Sequence, residues 1–492
     1  MRTIFIIMDS LNRRYLSAYG NDWVKTPSID RLASKGLVFE NHYCSSMPCI
    51  PARRDMLTGR PNFLEAPWGP LEPWDDLLPE LLRKARGTYC HMITDHCHYF
   101  NGGAGDRYQN IFDSWEYFRG QPWDPWHGVV EPRPLPEGSR VYCYGKRYYH
   151  QHLANLEYRD AERDESYSSV QCIDGAVEFV NRNHESDNWH LHLELFDPHE
   201  PFDCPQHYLD EYGDSWSGPP LSCPEYSRVD DKLDTSESVE HLRKAYAGTI
   251  TMSDRRLGKL LDAMDRHDMW RDTAVILTSD HGYLLGEHQW WAKNIPPAFQ
   301  ELTNLPLIFY HPDIAEPGRR SALTSAVDIA PTILAAHGVE DLPPSVTGRS
   351  LLHLLPADGE HHDAVIYGYF GKEVNMTDGR YTYHRVADSD AVMHRYFTSY
   401  HGMTAEKIAS AEFGTHLKWC KGIGHFRLAQ KSSRSKDLPD HHVIYDLRSD
   451  PGQQQPVEDE ALDARLGEQM KRQLEHAAAP PCQFVRLGFQ QA

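Results

Sequence analysis

Two short, unbroken apolar runs that end abruptly in acidic side chains limit the fold of this chain more than any other feature. Thr3 to Met8 runs into Asp9, and Thr273 to Thr278 runs into Ser279-Asp280-His281-Gly282. A strand with one wet face alternates apolar and polar residues, so continuous runs of this length fit a parallel sheet covered on both faces. Trp189 to Phe196, ending in Asp197-Pro198-His199, and Leu305 to Tyr310 are further strand candidates. Thr26-Pro27-Ser28 leading into Ile29, Leu32 and Ala33 reads as a capped helix start that Gly36 stops, and Tyr246 to Met264 has helical periodicity. Strands alternating with helices predict an α/β fold: a large domain with a mainly parallel central sheet flanked by helices. Chemistry in such sheets gathers beyond the carboxyl ends of the strands, where Asp9, Asp280 and His281 would lie.

At 492 residues the chain exceeds one hydrophobic core, so a second domain is expected. Residues 1–355 read as the large domain and 356–492 as a smaller C-terminal α+β domain with an antiparallel sheet. Its strand candidates are Val365 to Tyr369, Tyr381 to Arg385 and His442 to Leu447, and Glu458 to His476 looks like a terminal surface helix. From about residue 100 to 170 an insertion crowds Trp115, Tyr117, Phe118, Trp123, Trp126, Tyr142, Tyr144, Tyr148 and Tyr149 among prolines and glycines. It reads equally as a small satellite core or as a substrate wall.

Net charge is −21, which disfavours a nucleic-acid surface and requires local cations to catch any anionic substrate. The ten cysteines include no C-x-x-C pair, so a zinc ribbon or a thioredoxin-like motif is not expected. The apolar start is too short for a signal peptide, and no stretch approaches the roughly 18 apolar residues of a membrane span. The expectation is a cytoplasmic enzyme with no membrane partner, for which a homo-oligomer remains open.

Cys49-Ile50-Pro51-Ala52-Arg53, continuing to Leu57-Thr58-Gly59-Arg60, is the most specific motif in the chain. A buried free cysteine ahead of a helix is the plain alternative, but Pro51 and the Arg53-Arg54 pair argue against simple core packing. Asp9, Asp280, His281 and an oxygen carried by a modified Cys49 would make a divalent-cation site.

The C-x-P-A-R stretch resembles the signature of the type I sulfatases, and further matches run in order along nearly the whole chain. Ile6-Ile7-Met8-Asp9 is similar to the family's opening strand, and Asp197-Pro198-His199-Glu200-Pro201-Phe202 to its P-H-x-P-[FY] segment. Leu277 to Gly282, then Gly286-Glu287-His288 and Lys293, resembles its second signature. Val327-Asp328-Ile329-Ala330-Pro331-Thr332 and Tyr445-Asp446-Leu447 match structural segments downstream.

The resemblance implies that a maturation enzyme oxidises Cys49 to formylglycine, whose hydrate attacks sulfur with Arg53 stabilising the alkoxide. The alcohol leaves, and the second hydroxyl of the diol then expels sulfate and restores the aldehyde. Lys293 and His199 would bind the sulfate oxygens, with His199 the better proton donor to the leaving oxygen. Asp9, Cys49, Asp280 and His281 would hold the metal.

Two departures stand out. Ser10 occupies the place of a second acidic ligand, and His281 that of a common asparagine, which brings the site closer to phosphonate monoester hydrolases and shifts the metal from Ca²⁺ towards Mn²⁺ or Zn²⁺. The family's G-K-x-H segment is replaced by Ile93-Thr94-Asp95-His96-Cys97-His98, where His96 is the candidate. The implied activity is hydrolysis of a carbohydrate or aryl sulfate ester. The alternatives are a phosphonate monoester or phosphodiester hydrolase and, from another class, a non-catalytic binding protein.

Overall fold

The computed structural model describes residues 1–100, 107–121, 123–131, 133–134, 146–230, 234–400 and 403–489. Tyr142 and Tyr144 fall outside the described residues, as do the side chains of Tyr148 and Tyr149.

The central sheet is built from β1 (Arg2–Met8), β2 (Leu37–Tyr43), β3 (Tyr89–Thr94), β4 (Ser114–Tyr117), β5 (Trp189–Leu195), β6 (Thr273–Thr278), β7 (Asn304–Leu305), β8 (Leu307–Tyr310) and β9 (Gly318–Ser325). Its order is β7–β2–β8–β6–β1–β5–β3–β4, with β9 also on β2. β1 lies at the centre, parallel to both β5 and β6, and every residue of β1, β5 and β6 is buried. That double coverage is what the continuous apolar runs require.

The fourth predicted strand is split. Pro306 has no N–H to give the ladder, so the run divides into β7 and β8, both of which pair antiparallel to β2. The aromatic insertion also contributes a strand: β4 extends the sheet beside β3.

The helices that cover the sheet are α1 (Pro27–Lys35), α2 (Cys49–Thr58), α3 (Leu78–Arg86), α4 (Ser168–Asn183), α5 (Ser236–Arg266) and α6 (Ile329–Ala336). One face of the sheet packs on α1, α4 and α5 around Ile4, Ile6, Ile173, Leu257 and Leu277. The other packs on α2, α3 and α6 around Phe5, Ile7, Met56, Leu82 and Ile333.

One local reading at α1 is corrected and one is borne out. Thr26 does not cap the helix, because its hydroxyl pairs with Ser17 Oγ at 2.7 Å. The buried carboxylate of Asp254 on α5 accepts from Ser28 N (3.0 Å) and Ile29 N (2.7 Å) instead. Gly36 does end the helix, in an extended conformation; a Cβ there would stand 2.9 Å from the Phe309 carbonyl oxygen.

The second sheet contains β10 (Val365–Tyr369), β11 (Val374–Thr377), β12 (Tyr381–Arg385) and β16 (Val443–Asp446), all antiparallel. A separate three-stranded sheet holds β13 (Val392–Phe397), β14 (Glu412–Gly414) and β15 (His425–Lys431). The large unit reaches into the smaller one: Ser46–Met47 pairs parallel to β10, and Phe63 and Leu64 join its core. The helix Glu460–His476 is not merely a surface helix, because Leu466, Met470 and Leu474 are buried against that sheet. Nor is it terminal, since Pro481–Arg486 forms another helix.

Candidate active site

Three strand ends and one helix start meet at a buried point. β1 delivers Asp9, β6 delivers Asp280 and His281, β5 delivers Glu194 and leads into His199, and Cys49 opens α2. All ten residues of α2 are buried, so a sequence with two arginines and an aspartate sits inside the protein. Such burial is tolerable only if each charge is paired.

The pairing is complete. Arg54 makes a two-pronged contact to Asp75 at 2.9 Å on each prong. Asp55 accepts from the backbone of Ser46 (2.7 Å) and Asn62 (2.9 Å), tying the helix to the second sheet's borrowed strand. Arg53 reaches three carboxylates: Asp280 Oδ2 at 2.5 Å, Asp9 Oδ2 at 2.9 Å and Glu194 Oε2 at 3.3 Å. Its planar fork holds the carboxylates in fixed relative positions.

One ligand-type atom each from Asp9, Cys49, Asp280 and His281 lies within 4.8 Å of the others. His281 Nδ1 donates to the Gly282 carbonyl at 2.9 Å, which leaves the lone pair of Nε2 facing Cys49 Sγ at 3.2 Å. A histidine that ligates a metal is held in this way, one ring nitrogen tied to a carbonyl and the other bare. Burial, followed by Asp280, pushes the Asp9 carboxyl up to about 7, while His281, Arg53 and Lys293 overcome burial to hold Asp280 well below the ordinary range. Burial drives His281 down to about 3, keeping it a neutral donor. Two close carboxylates, a neutral imidazole and the Cys49 atom therefore fit a divalent cation. The unmodified Sγ stands here where an oxygen of a modified Cys49 would be.

Lys293 Nζ lies 2.7 Å from Ser10 Oγ, 3.8 Å from Cys49 Sγ and 3.9 Å from Asp9 and from Glu200. His199 Nδ1 is 2.7 Å from the Glu200 carbonyl oxygen and 3.2 Å from Glu200 Oε2. Burial, with Lys293 adding to it, keeps His199 well below its usual value. His96 is fully buried with neither ring nitrogen hydrogen-bonded, and its ring centroid lies 4.9 Å from His98 and 5.2 Å from Phe196. Burial and the charge of Arg53 hold His96 well below the usual histidine value.

The structure thus brings Asp9, Cys49, Arg53, Asp280, His281, Lys293 and His199 into one cluster, with His96 in an aromatic layer beside it. The sequence reading missed Glu194 and Glu200. Glu194 also accepts from Tyr99 at 2.7 Å and meets His192 at 2.8 Å, so it anchors Arg53 from behind. A glutamate within a strand destined for the sheet centre was the available signal, since burial obliges it to find a partner. Ser10, read only as a departure, holds Lys293. Trp123 of the insertion packs edge-on against His199 at 5.4 Å and also contacts Phe196 and His98, which makes this part of the insertion a satellite core beside His199.

Comparison with known proteins identifies the family. The sulfatase family profile matches residues 2–339, and that of the C-terminal part of N-sulphoglucosamine sulphohydrolase matches 286–397. The arylsulfatase of Clostridium perfringens is 23% identical over 413 residues, covering 76% of this chain and 82% of its own. The solved structure of BT4656 in complex with its substrate D-glucosamine-2-N,6-O-disulfate superposes with a TM-score of 0.65 at 17% identity, over 96% of this chain and 97% of that one. The phosphonate monoester hydrolase of Agrobacterium radiobacter superposes with a TM-score of 0.61 at 22% identity, over 97% and 95%. With the family profile spanning most of its length, the chain belongs to the sulfatase family and is a sulfuric ester hydrolase.

Proposed function

We propose that the protein hydrolyses a sulfate ester of a carbohydrate or aryl alcohol with formylglycine, made from Cys49, as its nucleophile. The observation that carries this reading is Cys49 Sγ at the meeting point of Asp9, His281 and Lys293, at the opening of a buried helix. The helix N-terminus and the Lys293 ammonium favour negative charge at that point. Arg53 positions Asp9 and Asp280 and adds positive charge behind them. A divalent cation held by Asp9, Asp280, His281 and the modified Cys49 would supply Lewis-acid stabilisation of the attacking oxygen. The imidazole in this donor set favours Mn²⁺ or Zn²⁺ over Ca²⁺.

His199 is the proposed acid for the departing alcohol. Burial keeps it neutral, with Nδ1–H donated to the Glu200 carbonyl, and an anionic sulfate beside it would raise its proton affinity. Lys293 binds sulfate oxygens, and His96 supplies a further polar wall. The insertion's Trp123, edge-on to His199, is the aromatic group beside the proposed acid and would flank a sugar or aryl substrate. The proposed domain limits are 1–355 and 356–492, with every residue of the proposed active centre in the first.

A phosphonate monoester or phosphodiester hydrolase is the second reading, favoured by Ser10 and His281 at positions where two oxygen ligands are more usual. Protein produced with a formylglycine-generating maturation enzyme tests both. Peptide mass spectrometry should show Cys49 converted to the aldehyde, and 4-nitrophenyl sulfate should be turned over faster than phenyl phenylphosphonate. Full activity with an intact Cys49 thiol would reject the nucleophile; the reverse substrate order would select the second reading.

A further inference from the structure

A second convergence of metal-type side chains lies outside the active centre. Asp328 follows β9 and immediately precedes α6, while His361 and His362 lie in the segment that leads to β10. His362 Nε2 stands 2.9 and 3.0 Å from the two Asp328 oxygens, and His361 Nε2 stands 3.2 Å from Oδ2. One ligand-type atom from each residue lies within 4.8 Å of the others. Donor atoms on a tetrahedral zinc, with bonds of about 2.0–2.1 Å, are about 3.3 Å apart, so small side-chain shifts would seat an ion.

A plain hydrogen-bonded cluster accounts for only part of this arrangement. Asp328 already accepts from Ser325 N and Arg349 N, each at 2.8 Å, and from His362. These bonds fix the carboxylate's orientation, as outer partners do at metal sites. His361 is held less well. Its side chain is 1% exposed; Nε2 stands 3.2 Å from Asp328 Oδ2 in poor alignment for a hydrogen bond, and Nδ1 has no hydrogen-bond partner among the described residues. A buried imidazole with poorly satisfied nitrogens is costly, and a cation between Nε2 and the carboxylate would satisfy both at once. His353 stacks on the His361 ring at 5.1 Å, holding it in place.

We propose that Asp328, His361 and His362 form a structural site for a zinc-type divalent cation, which fastens the segment entering β10 to the start of α6. Two imidazoles and one carboxylate suit Zn²⁺ or Co²⁺, whereas Ca²⁺ and Mg²⁺ need a fuller set of oxygens. Water would complete the tetrahedron. The site would act on the junction between the two sheets' units, since Arg349 Nη1 also bonds the His361 carbonyl at 2.9 Å and His362 N bonds the Leu323 carbonyl at 3.2 Å.

The test uses full-length, chelator-stripped protein with Zn²⁺ and Co²⁺ as probes. The active-site variant Asp9→Asn/Asp280→Asn should still bind one Zn²⁺ per chain, show the visible absorption of tetrahedral Co²⁺, and gain thermal stability with Zn²⁺. The His361→Gln/His362→Gln protein should bind one Zn²⁺ fewer than wild type, and its residual stabilisation by Zn²⁺ should come from the active centre alone. Equal Zn²⁺ uptake by wild type and His361→Gln/His362→Gln would overturn the site. Loss of tetrahedral Co²⁺ absorption in Asp9→Asn/Asp280→Asn would do the same, and this arm needs no histidine variant to fold.

Discussion

At the residue scale the site is organised by charge pairing around Arg53. Its guanidinium is buried among Asp9, Asp280 and Glu194, so the carboxylates are locked before any metal or substrate arrives. Asp9→Ala, Asp280→Ala and His281→Ala should each lose the active-centre metal, one equivalent relative to wild type, because the remaining ligands are then too few to hold it. Elemental analysis of the purified variants reads this directly, and full occupancy in all three would reject the ligand set. His199 calls for a different measurement. Proton donation matters for poor leaving groups and little for activated ones, so His199→Ala should lose about 10²–10⁴-fold on a sugar or alkyl sulfate and far less on 4-nitrophenyl sulfate. Equal losses would make His199 a sulfate-binding group and move the acid to Lys293 or His96.

At the element scale, close approach of backbones sets the position of the ligands. A Cβ on Gly282 would stand 1.9 Å from the Glu301 carbonyl oxygen. Gly282→Ala must therefore displace the turn that carries Asp280 and His281, and it should lower both metal content and stability, the latter by about 1–3 kcal/mol. Urea denaturation together with elemental analysis checks both; a variant with unchanged metal and stability would show that the turn can relax. The cap of α1 is likewise a tertiary contact. Asp254→Ala removes the acceptor for Ser28 N and Ile29 N, and loss of such a cap costs about 0.5–2 kcal/mol. Thr26→Ala should cost less, since its hydroxyl serves Ser17 and not the helix.

At the scale of the whole molecule, buried histidines give the fold a defined response to acid. Burial drives His384 and His337 down to about 4 from the ordinary 6.5, with Glu373 opposing it at His384. In the unfolded chain each takes up a proton below about 6.5, while in the fold each stays neutral until about pH 4. Their contribution is complete above 6.5 and is lost progressively as the pH falls towards 4. The limiting slope is about 1.4 kcal/mol per pH unit for each group. Denaturation midpoints measured between pH 4.5 and 7 should rise with pH, and His384→Gln should flatten the rise. An identical slope in that variant would show that His384 is protonated within the fold.

Continuous apolar runs by themselves determined β1 and β6, because only a sheet buried on both faces keeps such runs from water. Their polar ends placed Asp9, Asp280 and His281, and the C-x-P-A-R spacing placed Cys49 and Arg53 one helical turn apart. Antiparallel strands at Val365–Tyr369, Tyr381–Arg385 and Val443–Asp446 were also legible. Contacts between distant segments were not. Glu194 looks like strand filler until Arg53 arrives from another element, and Asp254 caps a helix more than two hundred residues away. Ser46–Met47 joins a sheet whose other strands begin at Val365, and His361 meets Asp328 only because β9 and the segment before β10 are brought together. Local pattern reports which face of an element is buried; what that face meets depends on the packing of the whole chain.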